Sequence, residues 1–327
     1  MQSSERPKLP APPGLVASLT AGFDAVASHV AVIILPILLD LLLWLGPHLY
    51  LKDIMQPVLA QMASVQLPLT SGMPDATTLQ QFWNSFLGQF NLLSFLRTYP
   101  VGITSLMAIS MPIKTPFGLP FDLEFRSLSM LLGVSISLLV VGLVSGTIYL
   151  QQVAHITNPV AANQPNNRSW FQAILVSLIW IVVFMILVPP LLFLFTFLAL
   201  VSPVLAQIGM IIILLLAVWV LAPVFFSPHG VFVFGQNAPA SIMQSLHMMR
   251  FSLPTSGMFL VVSLLINEGL NYLWRLPPDN SWLTLIGIAG HAFISTALLA
   301  ASFFYYRNIN AWLKTVFEQV SARKITG

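Results

Sequence analysis

The chain contains no cysteine and very few charged residues. Of its 327 residues, 7% are charged and none is a cysteine, so disulfides, thiolate metal ligands and thiol nucleophiles are all excluded. Between Arg126 and Arg250 the only charged side chain is Arg168. Water-exposed domains carry about 25% charged residues, and a charge in hydrocarbon costs about 2.5–3.5 kcal/mol on insertion scales. The sequence therefore predicts a chain that lies in a bilayer.

Several functional signatures are also missing. The chain has no Lys/Arg-rich run of the kind that neutralises phosphates, so we expect no nucleic-acid partner. It has no phosphate-binding P-loop, no Gly-rich dinucleotide turn, no H-E-x-x-H and no G-x-S-x-G. We therefore predict no catalytic residue, no metal ligand set and no cofactor, and expect a protein that is not an enzyme.

Long apolar stretches predict an all-α, polytopic transmembrane helical bundle. Hydrophobic residues make up 57% of the chain, and a transmembrane barrel would show short alternating segments instead. A bilayer core needs about 20 helical residues per span. Six stretches meet this length within a transmembrane domain at 26–306, namely 26–46, 127–150, 170–199, 204–227, 253–274 and 283–306.

The third and fourth spans form one nearly continuous apolar stretch. We place the turn between them at Ser202-Pro203. Pro189 and Pro190 then fall inside the third span, where proline removes a backbone donor and clashes with the preceding turn. These two prolines predict a break that could act as a hinge.

Basic residues predict the orientation of the chain. If the amino terminus lies inside, eight Lys and Arg residues are cytoplasmic and five are outside. This bias places both termini in the cytoplasm of a bacterial inner membrane. Residues 1–25 then form a cytoplasmic Pro-rich segment with an amphipathic lead-in, and residues 307–327 form a cytoplasmic tail.

The first two spans are joined by a long outer segment, 47–125. Apolar residues between Leu79 and Leu93 recur at helical spacing, which predicts an amphipathic helix. Lying on the outer leaflet and packing on the bundle are both open for this helix. Four prolines make 98–122 an irregular crossing over the helix ends.

Two further amphipathic helices are predicted on the cytoplasmic side. One covers 239–250, with Ile242, Leu246 and Met249 on one stripe, and the other is the tail. Both anchoring to lipid headgroups and docking of a partner are open for the tail.

Three ionisable residues interrupt the apolar spans at similar depth. Asp40 and Glu268 lie about 9 Å, and His291 about 12 Å, from the predicted outer ends of their helices. Such residues can form a proton relay, a cation site or a polar substrate cradle. The alternative is structural, because Asn271 and Arg275 share a helical face with Glu268 and can tie it into a local ladder.

Small and polar residues elsewhere predict packing. Gly142 and Gly146 form G-x-x-x-G in the second span, and Gly287 and Gly290 mark a small face on the sixth; both pairs predict close helix contacts. The other histidines lack metal-ligand spacing, and we expect those near cytoplasmic loops, such as His229, to be solvated or capping.

The carboxyl-terminal part resembles a known group of proteins. Ala240, Ser245, Met249 and Arg250 precede the fifth span, and Phe304-Tyr305-Tyr306-Arg307-Asn308 ends the sixth. These features resemble uncharacterised bacterial six-helix membrane proteins related to the membrane domain of some glycerophosphodiester phosphodiesterases. The resemblance covers about a quarter of the chain and implies six helices, but no catalytic residue.

Two functions remain open from the sequence. The first is a non-enzymatic scaffold or accessory subunit that contacts the bilayer and a protein partner in the membrane. The second is a small permease, or an ion- or proton-coupled transporter, that uses Asp40, Glu268 and His291.

Overall fold

The computed structural model describes residues 10–51, 90–110, 112–125, 127–158 and 167–326, with isolated positions 54, 57, 61, 81, 87 and 88. Almost all regular structure in this part of the chain is helical. The α-helices are α1 Leu15–Ser28, α2 Ile34–Leu45, α3 Met107–Ser110, α4 Leu128–Thr157, α5 Asn167–Val201, α6 Pro203–Phe234, α7 Ala238–Trp274 and α8 Thr284–Thr326. Two short 3-10 helices, η1 Val30–Ile33 and η2 Leu92–Leu96, and two strands, β1 His48–Tyr50 and β2 Asp122–Glu124, complete it.

The long helices confirm the predicted polytopic helical bundle. Among the described residues, five helices, α4 to α8, are long and apolar enough to cross a membrane, or six if α1 and α2 together count as one span. The chain is a multi-pass membrane protein. The turn predicted at Ser202-Pro203 is present, since α5 ends at Val201 and α6 begins at Pro203.

The first span differs from the continuous helix predicted for 26–46. The chain breaks at His29, and the two halves are bent by 94°. Pro36 accounts for part of this break, because its ring cannot follow a regular helix through Val32. His29 adds to it, since its Nδ1 lies 3.0 Å from the Ala25 carbonyl oxygen. In a regular helix this oxygen would accept the backbone N–H of His29.

Proline does not break the third span. Helix α5 runs through Pro189 and Pro190 without a gap, so the break expected there is absent, and a hinge motion at this point stays a prediction. A kink occurs instead in α7, where Ser252 has non-helical φ and ψ of −128° and 20°. Pro254, two residues later, removes the bond to the Arg250 carbonyl. The kink separates the two segments predicted as 239–250 and 253–274.

The predicted tail is continuous with the sixth span. Helix α8 extends from Thr284 to Thr326 without interruption. Ile309 and Leu313 of the tail are buried against Met248 and Met249 of α7. Part of the apolar stripe predicted to face headgroups or a partner is therefore buried within the protein.

Helix α8 is the central helix of the bundle. In its most apolar stretch, 61% of α8 is buried inside the protein, against 6 to 24% for the other four long helices. Helix α1 packs along α8 where both helices present small residues. A Cβ atom added to Gly22 would lie 2.5 Å from the Ala297 carbonyl oxygen. Because α1 approaches this closely, it fills one side of the core around α8.

Part of the outer segment packs on the helical bundle. β1 and β2 pair in parallel, so His48 lies opposite Asp122. Asn91 fixes the start of η2, because its Oδ1 accepts hydrogen bonds from the backbone N–H groups of Leu49 and Leu93 at 3.2 and 3.1 Å. Most of the amphipathic helix predicted between Leu79 and Leu93 lies outside the described residues, but η2, which begins at Leu92, packs against α4.

The turn between α6 and α7 depends on one left-handed residue. Gly235 has φ of 62° and ψ of 26°, and the N–H of Gln236 bonds the Gly230 carbonyl at 3.2 Å. We expect Gly235→Ala to cost about 1 kcal/mol of stability, because a side chain is strained in this region. Thermal unfolding in detergent checks this. Gly269→Ala, in the open interior of α7, is the control and should be neutral or stabilising; a larger loss for the control would contradict the assignment.

Candidate functional site

Asp40 is fully buried and is held by the outer segment. Its Oδ1 accepts the Ser105 hydroxyl at 2.5 Å and the Met107 N–H at 3.0 Å, and its Oδ2 accepts the Leu106 N–H at 3.1 Å. Ser105 Oγ in turn accepts the Ala108 N–H at 3.0 Å. Both carboxylate oxygens are therefore used to fix the first turn of α3 against α2.

The same loop also contacts the central helix. Thr104 Oγ1 lies 2.8 Å from Ser295 Oγ on α8. At the next residue of α8, Thr296 Oγ1 lies 2.9 Å from the Tyr149 hydroxyl of α4. Neighbouring residues of one loop thus reach α2 through Ser105 and α8 through Thr104. We name this set of contacts, made by Thr104, Ser105, Leu106 and Met107, the outer latch.

The other four predicted polar residues form a separate chain of contacts. His291 Nδ1 lies 2.7 Å from Asn271 Oδ1, and Asn271 Nδ2 donates to Glu268 Oε1 at 3.4 Å. Arg275 Nη2 lies 4.0 Å from Glu268 Oε2. Because the amide oxygen can only accept, His291 Nδ1 carries the proton, and its buried Nε2 has no hydrogen-bond partner among the described residues.

Arg97 interacts electrostatically with both groups and was not singled out from the sequence. Desolvation lowers the pKa of its guanidinium although Arg97 is exposed, the carboxylates of Asp40 and Glu268 raise this pKa, and Arg275 lowers it. Arg97 is therefore a cation in electrostatic range of both carboxylates. The sequence carried no signal for this role, because Arg97 lies in the long outer segment.

Asp40, Glu268 and His291 do not converge on one ion. In the described part of the chain, no three His, Asp or Glu side chains are close enough to hold a metal ion. Asp40 bonds to the outer latch, whereas His291 bonds to Asn271. The geometry gives no support to the cation site, and it agrees with the local ladder on α7 that was the structural alternative.

The contacts around Glu268 and Asn271 predict that substitutions at these two residues destabilise the protein to different degrees. Glu268 is 51% and Arg275 33% exposed, so we expect Glu268→Gln to lower the free energy of unfolding by less than about 1 kcal/mol. Asn271→Leu should cost about 2 kcal/mol, because Asn271 is buried and its loss leaves the His291 N–H unpaired. Thermal unfolding of both variants in one detergent measures the difference. A larger loss for Glu268→Gln would contradict the structural role.

The two glycine pairs pack in different ways. Gly287 and Gly290 receive Trp274, whose backbone and indole ring would collide with added Cβ atoms, so this pair joins α7 to α8 as predicted. At Gly142 and Gly146 the nearest atoms belong to the outer segment and not to a spanning helix. An added Cβ would lie 2.6 Å from the Leu96 carbonyl oxygen or from Gly102 Cα, so this pair makes room for the outer segment.

His229 was expected to be solvated or capping, and this expectation is wrong. It lies inside α6, is 1% exposed, and its Nε2 lies 2.7 Å from Ser302 Oγ of α8. The rings of Phe225, Phe226 and Phe303 surround it. A helix that continues to Phe234, beyond the predicted end at residue 227, accounts for the difference.

Similarity gives no identification. The chain matches no protein-family model, no curated protein and no solved structure.

Proposed function

We propose that this chain is a non-enzymatic scaffold or accessory subunit of a bacterial inner-membrane complex, with both termini in the cytoplasm. The orientation rests on the distribution of Lys and Arg residues, eight inside and five outside. The resemblance of the carboxyl-terminal part to six-helix bacterial membrane proteins supports the same location.

One observation carries the proposal: the outer segment is fixed to the bundle and presents apolar side chains outward. The buried carboxylate of Asp40 and the glycines of α4 hold it in place. Phe117, Leu119 and Phe121 are 76%, 78% and 71% exposed. A fixed segment with three uncovered large apolar residues is suited to bind the outer part of another membrane protein.

Affinity purification in mild detergent, followed by mass spectrometry, tests this. We expect one partner at stoichiometric level with the unchanged chain, and its loss when Phe117, Leu119 and Phe121 are all replaced by alanine. The matched control replaces Leu132, Ile136 and Val140 of α4, which are 52%, 63% and 52% exposed on a spanning helix, and should keep the partner. Equal recovery from all three proteins would contradict this surface, and no stoichiometric partner would contradict the proposal.

A small permease or an ion- or proton-coupled transporter is the second candidate. It is favoured by the break of the first span at His29, beside a cavity of about 810 Å³. Transporters use discontinuous helices at their binding sites. Proton or solute flux in liposomes that is abolished by Asp40→Asn, Glu268→Gln or His291→Gln would support it, and absence of flux would favour the scaffold.

A further inference from the structure

The cavity at the break of the first span is a site to which neither proposed function assigns a ligand. It lies between the bend at His29, the carboxyl-terminal ends of α4 and α6, and the start of α5. Its volume of about 810 Å³ falls within the range of about 300–1,000 Å³ that is typical of ligand pockets. The residues discussed for the outer latch and the α7 ladder are not part of it.

Polar side chains form part of the cavity lining. Among the described residues that line the cavity there is no Asp, Glu, Lys or Arg. The polar lining side chains are His29, Gln151, Gln152, His155, Asn158 and Ser169. A charged ligand group would lose its hydration there without a direct counter-charge, which is costly in a membrane protein.

These side chains offer both donors and acceptors. The Ala25 carbonyl can only accept, so His29 Nδ1 carries a proton and donates to it, and the carboxamides of Gln152 and Asn158 each offer an acceptor oxygen and a donor amide group. Gln151 Oε1 accepts the Trp170 indole N–H, so the Gln151 amide group is left as a donor. A hydroxyl group both donates and accepts, and it fits such a mixed lining better than a group that only accepts.

Apolar residues form the rest of the lining. Ala31, Val32, Ile148, Ile156 and Val231 contribute to it. A ligand that contacts both kinds of lining residue needs a polar head and a hydrocarbon part. That combination describes a lipid better than a free polyol.

We propose that this cavity binds a lipid with an uncharged, hydroxyl-bearing headgroup, of the diacylglycerol class. The headgroup hydroxyl bonds to the carboxamides and imidazoles of α4 and the bend, and the acyl chains contact the apolar lining residues. Gln152 and His155 contribute on α4, where both side chains are exposed to the cavity.

Photocrosslinking tests the proposal with the full chain in nanodiscs of phosphatidylcholine. The probe is a diazirine-bearing diacylglycerol, and mass spectrometry locates the label. We expect label on 148–158 and 231–235, reduced about tenfold in the variant with both Gln152→Leu and His155→Leu, because two hydrogen-bond partners are lost. Ser137→Leu, on the exposed face of the same helix, should label like the unchanged chain.

Two further measurements use the unchanged chain, so they do not depend on the variant folding. Phosphatidic acid with the same diazirine chain should label these residues several-fold less, and equal or stronger labelling would overturn the uncharged headgroup. Excess free glycerol should not compete; if it displaces the probe, the site takes a free polyol and the lipid is overturned. Label spread evenly over the lipid-facing helices would overturn the site itself.

Discussion

Replacing Asp40 with alanine is expected to destabilise the protein more than any other single change considered for this chain. The carboxylate accepts three hydrogen bonds within 3.1 Å and is completely buried. Its removal leaves the Ser105 hydroxyl and two backbone N–H groups unpaired in the core. We expect a loss of about 3–5 kcal/mol, which corresponds to a fall in Tm of about 10 °C.

Asp40→Asn separates the hydrogen bonds from the charge. Asparagine keeps one oxygen acceptor, so it should cost less than alanine but more than a surface change. Asp24→Ala is the matched control, because Asp24 is an exposed carboxylate in α1, and it should change stability by less than about 0.5 kcal/mol. Differential scanning fluorimetry in one detergent compares all three. Equal Tm values for Asp40→Ala and Asp24→Ala would contradict the outer latch.

Gly146→Ala is expected to have the second largest effect. An added methyl group would lie 2.6 Å from Gly102 Cα and 2.8 Å from the Gly102 nitrogen. Both are backbone atoms of the outer segment, so no side-chain rotation relieves the overlap. We expect a loss of about 1–3 kcal/mol and greater access of protease to the outer segment.

The same helix supplies a control of identical chemistry. Gly133 of α4 has nothing within 4 Å of a built Cβ atom. Gly133→Ala should therefore raise stability by about 0.5–1 kcal/mol through helix propensity alone. Limited proteolysis and thermal unfolding of both variants are the measurements. If the two substitutions behave alike, α4 does not pack on the segment around Gly102.

The main features of the fold could be predicted from the sequence because the bilayer imposes them. A stretch of 123 positions with one charge, at Arg168, requires helices that satisfy their own backbone groups. Ser202 and Pro203 then mark the turn, since proline fits the first turn of a helix. The break at His29 was missed because the apolar composition continues through it, and composition does not report a bend.

The polar site was predictable only in part. Helical spacing places Glu268, Asn271 and Arg275 on one face, and these residues do contact one another. Depth along a helix placed Asp40 and His291 at one level, but depth does not give the direction that each side chain faces. The partners of Asp40 lie 65 to 67 residues away in an irregular loop, where no periodic pattern reports contact.

The glycines of α4 show the same limitation. Gly142 and Gly146 predicted a close helix contact, whereas the backbone nearest to them is that of the outer segment. The spacing says that a backbone approaches, but it does not say which one. In this chain the backbone is that of the outer segment, and the pair therefore belongs to the same structural unit as Asp40.

Disulfide crosslinking tests the attachment of the outer segment most directly, because the chain contains no cysteine of its own. Thr104 Oγ1 and Ser295 Oγ lie 2.8 Å apart, so cysteines at these two positions fall within the range of disulfide geometry. The Thr104→Cys, Ser295→Cys protein should crosslink within one chain under mild oxidation, whereas Thr104→Cys with Ser137→Cys, on the exposed face of α4, should not. Failure of the first pair to crosslink in the folded protein would contradict the attachment of the outer segment to α8.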